Sequence, residues 1–227
     1  MIKAALFDLD GVVFDTESQY SIFWGMIGRE YHPEMPDFEY RIKGQTLVQI
    51  YDKYFTDEAV FAHIEGFTGA KEEQAKITAR LDEFEKIMQY DYIAGFEDFI
   101  SDLKQHGVKC AVVTSSNIQK MLNVYERHPE FKAYFDRVLT SEDFAESKPH
   151  PDCYLKGAAY FGVEPEDCVG LEDSFNGLKA VRASGAFTLG LATTNSREAI
   201  EPLSDYVIDD YRGFDFADLQ RIVDDAK

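Results

Sequence analysis

Ala4-Ala5-Leu6-Phe7-Asp8-Leu9-Asp10-Gly11-Val12-Val13-Phe14-Asp15 is the stretch that decides the fold of this chain. An apolar run leads without a break into two carboxylates two positions apart. Continuous apolar character marks a strand buried on both faces, as in a parallel sheet, and residues 2–8 read as that strand. On an extended strand, positions i and i+2 share a face. Asp8 and Asp10 are therefore expected to share one small site, with Gly11 permitting the turn that follows. Two adjacent carboxylates repel unless a proton or a cation lies between them.

Beyond Asp15 the period changes. Tyr20, Phe23, Trp24 and Ile27 fall at helical spacing behind Thr16, a residue type that caps helices. Pro33 and Pro36 mark a break, and Gly44 punctuates the next loop before Leu47, Ile50, Tyr51 and Tyr54 resume a helical stripe. The tract 56–88 is charged and helix-favouring, with Leu81, Phe84, Ile87 and Met88 as its apolar edge. No strand is expected in 16–88, which reads as a helical insertion. From Ala94 strands and helices alternate. A helical face from Phe96 to Leu103 stops at Gly107, and strands are expected at 108–113, 138–139, 168–171, 187–191 and 206–208. Helices over 117–127, 151–161 and 175–184 lie between them. This alternation predicts an α/β core of residues 1–15 and 89–227, a parallel sheet with helices on both faces, and a helical cap of residues 16–88.

Composition narrows the functional classes. The formal net charge of -19 argues against broad nucleic-acid binding, which needs a basic surface, and against an anionic membrane surface. The three cysteines form no CxxC and no even framework, so neither a disulfide scaffold nor a zinc site is indicated. The five histidines are scattered, without zinc-site spacing. No run reaches the length of a membrane span, and the amino terminus has no cleavage pattern. A reduced, cytoplasmic setting and a monomer are the expectations. Neither a P-loop, nor G-x-G-x-x-G, nor G-x-S-x-G is present.

Open parallel sheets place ligands at the carboxyl ends of their strands. Asp8 and Asp10 follow the first strand, and Thr114-Ser115-Ser116-Asn117 the second. Lys148-Pro149-His150-Pro151 follows the short third, and Glu172-Asp173-Ser174 the fourth. Carboxylates hold a hard divalent cation such as magnesium. Hydroxyls and backbone N–H groups at a helix start bind phosphate oxygens, and a lysine supplies a fixed positive charge. The set fits phosphoryl transfer on a small phosphorylated metabolite.

These four strings, Asp8-Leu9-Asp10-Gly11-Val12, Thr114-Ser115-Ser116, Lys148-Pro149 and Gly170-Leu171-Glu172-Asp173-Ser174, resemble in order the four motifs of the haloacid dehalogenase superfamily. The block after Asp15 matches the position of that superfamily's inserted cap. The subgroup it looks most like is that of β-phosphoglucomutase and related sugar-phosphate phosphatases. The resemblance implies that Asp8 is a nucleophile forming an aspartyl-phosphate and that Asp10 carries protons, in an environment that keeps it protonated as an acid. Magnesium is implied at the Asp8 side chain, the Asp10 backbone carbonyl and Asp173, with Glu172 direct or through water. Thr114, Ser115, Asn117 and Lys148 are implied to bind phosphate. Tyr20, Trp24, Lys43, Gln45 and Thr46 are candidates to contact the leaving group beneath a cap that closes.

Three departures bear on the reaction. Tyr20 stands where the mutase has a cap histidine, no arginine follows the Lys43-Gly44 loop, and Asn117 replaces a phosphate-binding lysine. A mutase must hold a second phosphate, so lost cations favour a phosphatase, unless Lys71, Lys76 or Arg80 restores the charge. Asp10 itself disfavours dehalogenation, since a halide leaves without a proton. A receiver-type signalling domain is a competing reading, but it has no place for the inserted cap. A binding protein that kept the fold without the chemistry does not account for the full set of strand-end residues.

Overall fold

The structure is a computed structural model and describes residues 1–43 and 45–226. Gly44, read above as loop punctuation, lies outside the described residues. The chain divides into two compact units, residues 1–15 with 90–227, and residues 16–89.

The first unit is built on six parallel strands: β1 (Ala4–Phe7), β2 (Lys109–Val113), β3 (Arg137–Leu139), β4 (Cys168–Glu172), β5 (Phe187–Leu191) and β6 (Tyr206–Ile208). Their order across the sheet is β3-β2-β1-β4-β5-β6, with helices on both faces. All four residues of β1 are buried, as its unbroken apolar run requires. Chain order reverses between β1 and β4, which creates the crevice where such sheets bind ligands. Register brings the strand ends level: Phe7 lies opposite Val112 on one side and Leu171 on the other. The ladder continues one step further through Asp8 N donating to the Leu171 carbonyl at 3.0 Å. The side chains that follow β1, β2 and β4 therefore emerge at one height. Between β1 and the second unit, the chain pairs with its own return. Asp15 N donates to the Asp91 carbonyl and Ile93 N to the Val13 carbonyl, around an antiparallel bridge between Phe14 and Tyr92.

The second unit is helical, with no strand among its described residues. Its longest helices are Glu17–Tyr31 and Ala70–Ile87. Its core joins Phe23, Trp24, Ile27, Phe38, Phe55 and Phe61 with Ile77 and Leu81. Gln19 ties the ends of this unit together, its side chain donating to the Gln89 carbonyl and accepting from Gln89 N. Three local expectations change. Thr16 occupies the N-cap position of the first helix, but its hydroxyl makes no capping bond. The tract 56–88 is helical only from Ala70, because residues before it pack by ring contacts instead. Asp57 caps a short 3-10 turn, Glu58–Phe61, and Phe61 stacks on Phe67 at 5.1 Å. Ile87, assigned to the apolar edge, is exposed, whereas Leu81 and Met88 are buried.

All three cysteines are buried and unpaired. Among the described residues no helix is long and apolar enough to cross a membrane.

Candidate active site

Lys148 is the hub of the crevice. Its ammonium donates to Asp8 Oδ1 at 2.6 Å, to Glu172 Oε1 at 2.6 Å and to the Val113 carbonyl at 3.1 Å. Both Lys148 and Glu172 are buried, so the pairing is desolvated and its geometry matters. Burial alone would lower the affinity of Lys148 for its proton. The facing Asp8 and Glu172 carboxylates outweigh that and raise it, so the ammonium stays charged. Asp8 is pushed up to about 7, chiefly by burial. The negative charges of Glu172 and Asp10 add to the rise, and Lys148 opposes it.

Glu172 is held from several sides. Tyr154 donates to Oε1 at 2.8 Å, while Asp173 N and the Ser174 hydroxyl donate to Oε2 at 3.2 and 3.1 Å. Burial and the neighbouring Glu172 keep the Tyr154 hydroxyl protonated well beyond its ordinary range, so it acts as a donor. The carboxylate lies against the first turn of the Phe175–Ser184 helix, where Gly177 makes room. A Cβ there would fall 1.9 Å from the Glu172 carboxyl carbon. Tyr154 was not read from the sequence, since an aromatic on the buried face of the Asp152–Phe161 helix is indistinguishable from core.

The opening pair diverges. β1 ends at Phe7, so Asp8 and Asp10 are not successive same-face positions of one strand. While Asp8 meets Lys148, Asp10 turns to Lys120 and Ser116. The Lys120 ammonium touches both Asp10 oxygens, that to Oδ2 at 2.5 Å, and the Ser116 hydroxyl donates to Oδ2 at 3.0 Å. Lys120 is buried and is the main residue that sequence reading missed. Asn117 starts its helix by accepting from Lys120 N at 2.9 Å, and Lys120 then shares the inner face with Met121 and Val124. A charged residue in register with that apolar face was the available signal. The lysine counted as lost at Asn117 thus has a counterpart one turn later, committed to Asp10.

Thr114 is buried, and its hydroxyl accepts from Ser116 N at 3.0 Å. Ser115 is half-buried beside it. Asn117 spends its side-chain oxygen on the helix cap.

The cap candidates find partners within the helical unit. Tyr20 donates to Glu85 at 2.7 Å, and Trp24 is buried in the core between Phe23 and Phe38. Lys43 lies 3.6 Å from Glu17, Gln45 donates to the Arg41 carbonyl, and Thr46 caps the Leu47–Tyr54 helix in a capping box with Gln49. Of the cations considered for restoring charge, Lys76 pairs with Glu73 and Arg80 with Glu30, and Lys71 is exposed.

Asp8, Glu172 and Asp173 each bring a carboxylate oxygen within 4.8 Å of the others. An all-oxygen, anionic donor set of this size fits a hard divalent cation such as magnesium. Gly11 cradles this group: its φ is +73°, and a Cβ would lie 2.1 Å from Asp173 Oδ2. The Asp10 side chain is turned away to Lys120, so Asp10 can join only through its backbone.

Divalent cation is expected to stabilise the protein far more at pH 8 than at pH 5.5. Asp8 binds its proton more tightly in the fold, near pH 7, than the unfolded chain does near 3.8. Stability from this group therefore falls as pH rises from about 4 through 7. A bound cation needs the carboxylate and must displace that proton below pH 7. Displacing it at pH 5.5 costs about 2 kcal/mol. Melting temperatures with and without magnesium at the two pH values measure this, and an equal or larger shift at pH 5.5 would contradict it.

Comparison with known proteins agrees with this geometry. The family model described as haloacid dehalogenase-like hydrolase matches residues 2–185. The chain is similar to the β-phosphoglucomutase of Bacillus subtilis (strain 168), 28% identical over 84% of this chain and 83% of that protein. It is also similar to the validoxylamine A 7'-phosphate phosphatase of Streptomyces hygroscopicus subsp. limoneus, 26% identical over 88% and 90% of the two chains. In fold it resembles the crystal structure of β-phosphoglucomutase from Clostridium difficile. There the TM-score is 0.78 at 22% identity, covering 99% of this chain and 98% of that one.

Proposed function

The chain belongs to the haloacid dehalogenase-like hydrolase family, and from that premise we propose that it is a magnesium-dependent phosphatase acting on a small phosphate monoester, a sugar phosphate in the first instance. The observation that carries the reading is the buried Lys148 bridging Asp8 and Glu172 beside Asp173. That arrangement presents an anionic nucleophile next to a fixed cation, at the crevice of a parallel sheet.

In the proposed reaction an Asp8 oxygen attacks phosphorus and the bond to the leaving alkoxide breaks, with Asp10 donating the proton that alkoxide takes up. The Lys120 ammonium on Asp10 favours the carboxylate, contrary to the environment expected of an acid, so this step requires Asp10 to take up a proton and loosen that pair first. Water then attacks the aspartyl-phosphate, Asp10 accepts its proton, and phosphate leaves with Asp8 regenerated. Lys148 offsets charge on Asp8 throughout. The Thr114 hydroxyl keeps its own proton to donate to a phosphoryl oxygen, with Ser115 beside it. Lys120 and Ser116 fix the orientation of the Asp10 carboxylate. Asp8, Asp173 and the Asp10 carbonyl would hold magnesium, with Glu172 behind them. When bound, the cation neutralises phosphoryl charge and aligns the ester. Residues 16–89 would act as the cap that excludes bulk water.

Hydrolysis is preferred to phosphomutation because three cations of the helical unit pair with its own acids, Lys43 with Glu17, Lys76 with Glu73 and Arg80 with Glu30. A second phosphate would have to compete with them. Lys120 favours the phosphomutase alternative to a degree, since it returns one cation to the core unit, but its ammonium is committed to Asp10. The deciding experiment offers sugar phosphates, nucleotides and pyrophosphate, with magnesium or a chelator, and with or without a bisphosphate primer. Net magnesium-dependent release of phosphate is expected. Isomerisation of a sugar phosphate without net release would overturn the proposal in favour of the mutase.

A further inference from the structure

We propose that the loop after β5 forms a further wall of the cation site, and that the Thr194 hydroxyl there contacts the hydration shell of the bound divalent cation. The inference rests on the metal-dependent reading above. β5 neighbours β4 in the sheet and runs parallel to it, so its following loop opens on the same edge as Asp173. Two side chains of that loop clamp the backbone around the site. Thr193 Oγ1 donates to the Gly11 carbonyl at 2.5 Å, and Asn195 Nδ2 donates to the Asp173 carbonyl at 2.9 Å.

Thr194 lies between these two clamps. Its hydroxyl oxygen is buried and has no hydrogen-bond partner among the described residues, which is uncommon for a buried polar group. Its position is fixed by the Gly11 cradle. A Cβ at Gly11 would lie 2.1 Å from Asp173 Oδ2 and 2.7 Å from Thr194 Oγ1. The unsatisfied hydroxyl and the candidate ligand thus border the same small space. Magnesium gives up its waters reluctantly and keeps several in protein sites. A hydroxyl at this place can accept from such a water, and partners of this kind are worth about 10- to 100-fold in metal affinity.

Among the described residues two other buried side-chain polar atoms lack partners, and their surroundings differ. His32 Nε2 belongs to the helical unit, where its ring is enclosed by Phe38, Tyr54 and Phe55. Thr188 Oγ1 lies within β5 itself, on a fully buried residue. Thr188 supplies an internal control, since deleting its hydroxyl removes a buried orphan of the same chemistry away from the acidic group.

The test is magnesium affinity by titration calorimetry on the full chain, with thermal melting to show that each variant is folded. Thr194→Val is expected to weaken magnesium binding about 10-fold, while Thr194→Ser and Thr188→Val keep the parent affinity. Parent-like affinity in Thr194→Val would overturn the inference, as would an equal loss in Thr188→Val. A parent protein that takes up no divalent cation would overturn it together with the metal-dependent reading, whereas the first two outcomes leave that reading standing.

Discussion

Asp8→Asn is expected to lower phosphate release by at least about 10,000-fold without loss of the fold. The amide nitrogen is not a nucleophile, and its oxygen carries no charge to attack phosphorus. The substitution is nearly isosteric, and its effect on stability has a definite sign. Asp8 is pushed up to about 7 because burial and the neighbouring carboxylates disfavour its charged form. Above pH 7 the native protein carries that penalty, and a neutral amide relieves it. The variant should therefore melt at or above the parent temperature at pH 8 in the absence of divalent cation. It should also bind magnesium more weakly and give no phosphorylated protein by mass spectrometry. Activity within tenfold of the parent would remove Asp8 from the mechanism. Inactivity with a collapsed melting temperature would point to a structural role instead.

Lys148→Met is expected to have the largest effect on stability. Methionine replaces the stem of the lysine with similar volume but leaves Asp8 and Glu172 facing each other without the cation between them. Removing one partner of a buried ionic group costs about 3–5 kcal/mol. For a chain of this size that corresponds to roughly 10 °C in melting temperature. The loss should be largest at pH 8 and smaller at pH 5.5, where Asp8 takes a proton and the repulsion fades. Magnesium should recover part of it at pH 8 by restoring positive charge. Phosphate release should fall about 100- to 1,000-fold, even with the cation saturating. A variant that melts within 2 °C of the parent at both pH values would mean that Lys148 does not neutralise this cluster.

Both experiments address residues that sequence pattern makes visible. Asp8, Glu172 and Asp173 stand at the ends of apolar runs, Lys148 follows the short third strand across a polar loop before Pro149, and topology delivers strand ends to one edge. The β5 and β6 spans and the Phe175–Ser184 helix also match the apolar pattern. What stayed hidden has a common physical cause. Lys120, Tyr154 and Thr194 act through tertiary neighbours, and each carries a residue type that is ordinary in its local context. A lysine on a helix reads as solvated until the partner that buries it is known, here Asp10 from 110 residues away. Residues 56–69 have helix-favouring composition, yet Gly66 takes the left-handed φ of +74° that ends a helix, and Phe61 stacks on Phe67 across that turn. The loop after β5, Thr193-Thr194-Asn195, carries the same residue types as Thr114-Ser115-Ser116-Asn117 and was within reach of the same strand-end reading.

The stem at Val13–Asp15 and Asp91–Ile93, with the Gln19–Gln89 clasp beyond it, has an evolutionary and engineering consequence. An insertion whose two ends are already hydrogen-bonded to each other needs no new closure when its contents change. Material between residues 19 and 89 can be lengthened, exchanged for another helical module, or cut back to a tight loop, and the chain still returns to the same partner at Asp15. Loop-closure entropy grows only slowly with length, so such exchanges are thermodynamically mild. If residues 16–89 act as the proposed cap, exchanging this one continuous segment is expected to change substrate preference while the strand-end residues of the first unit stay in place.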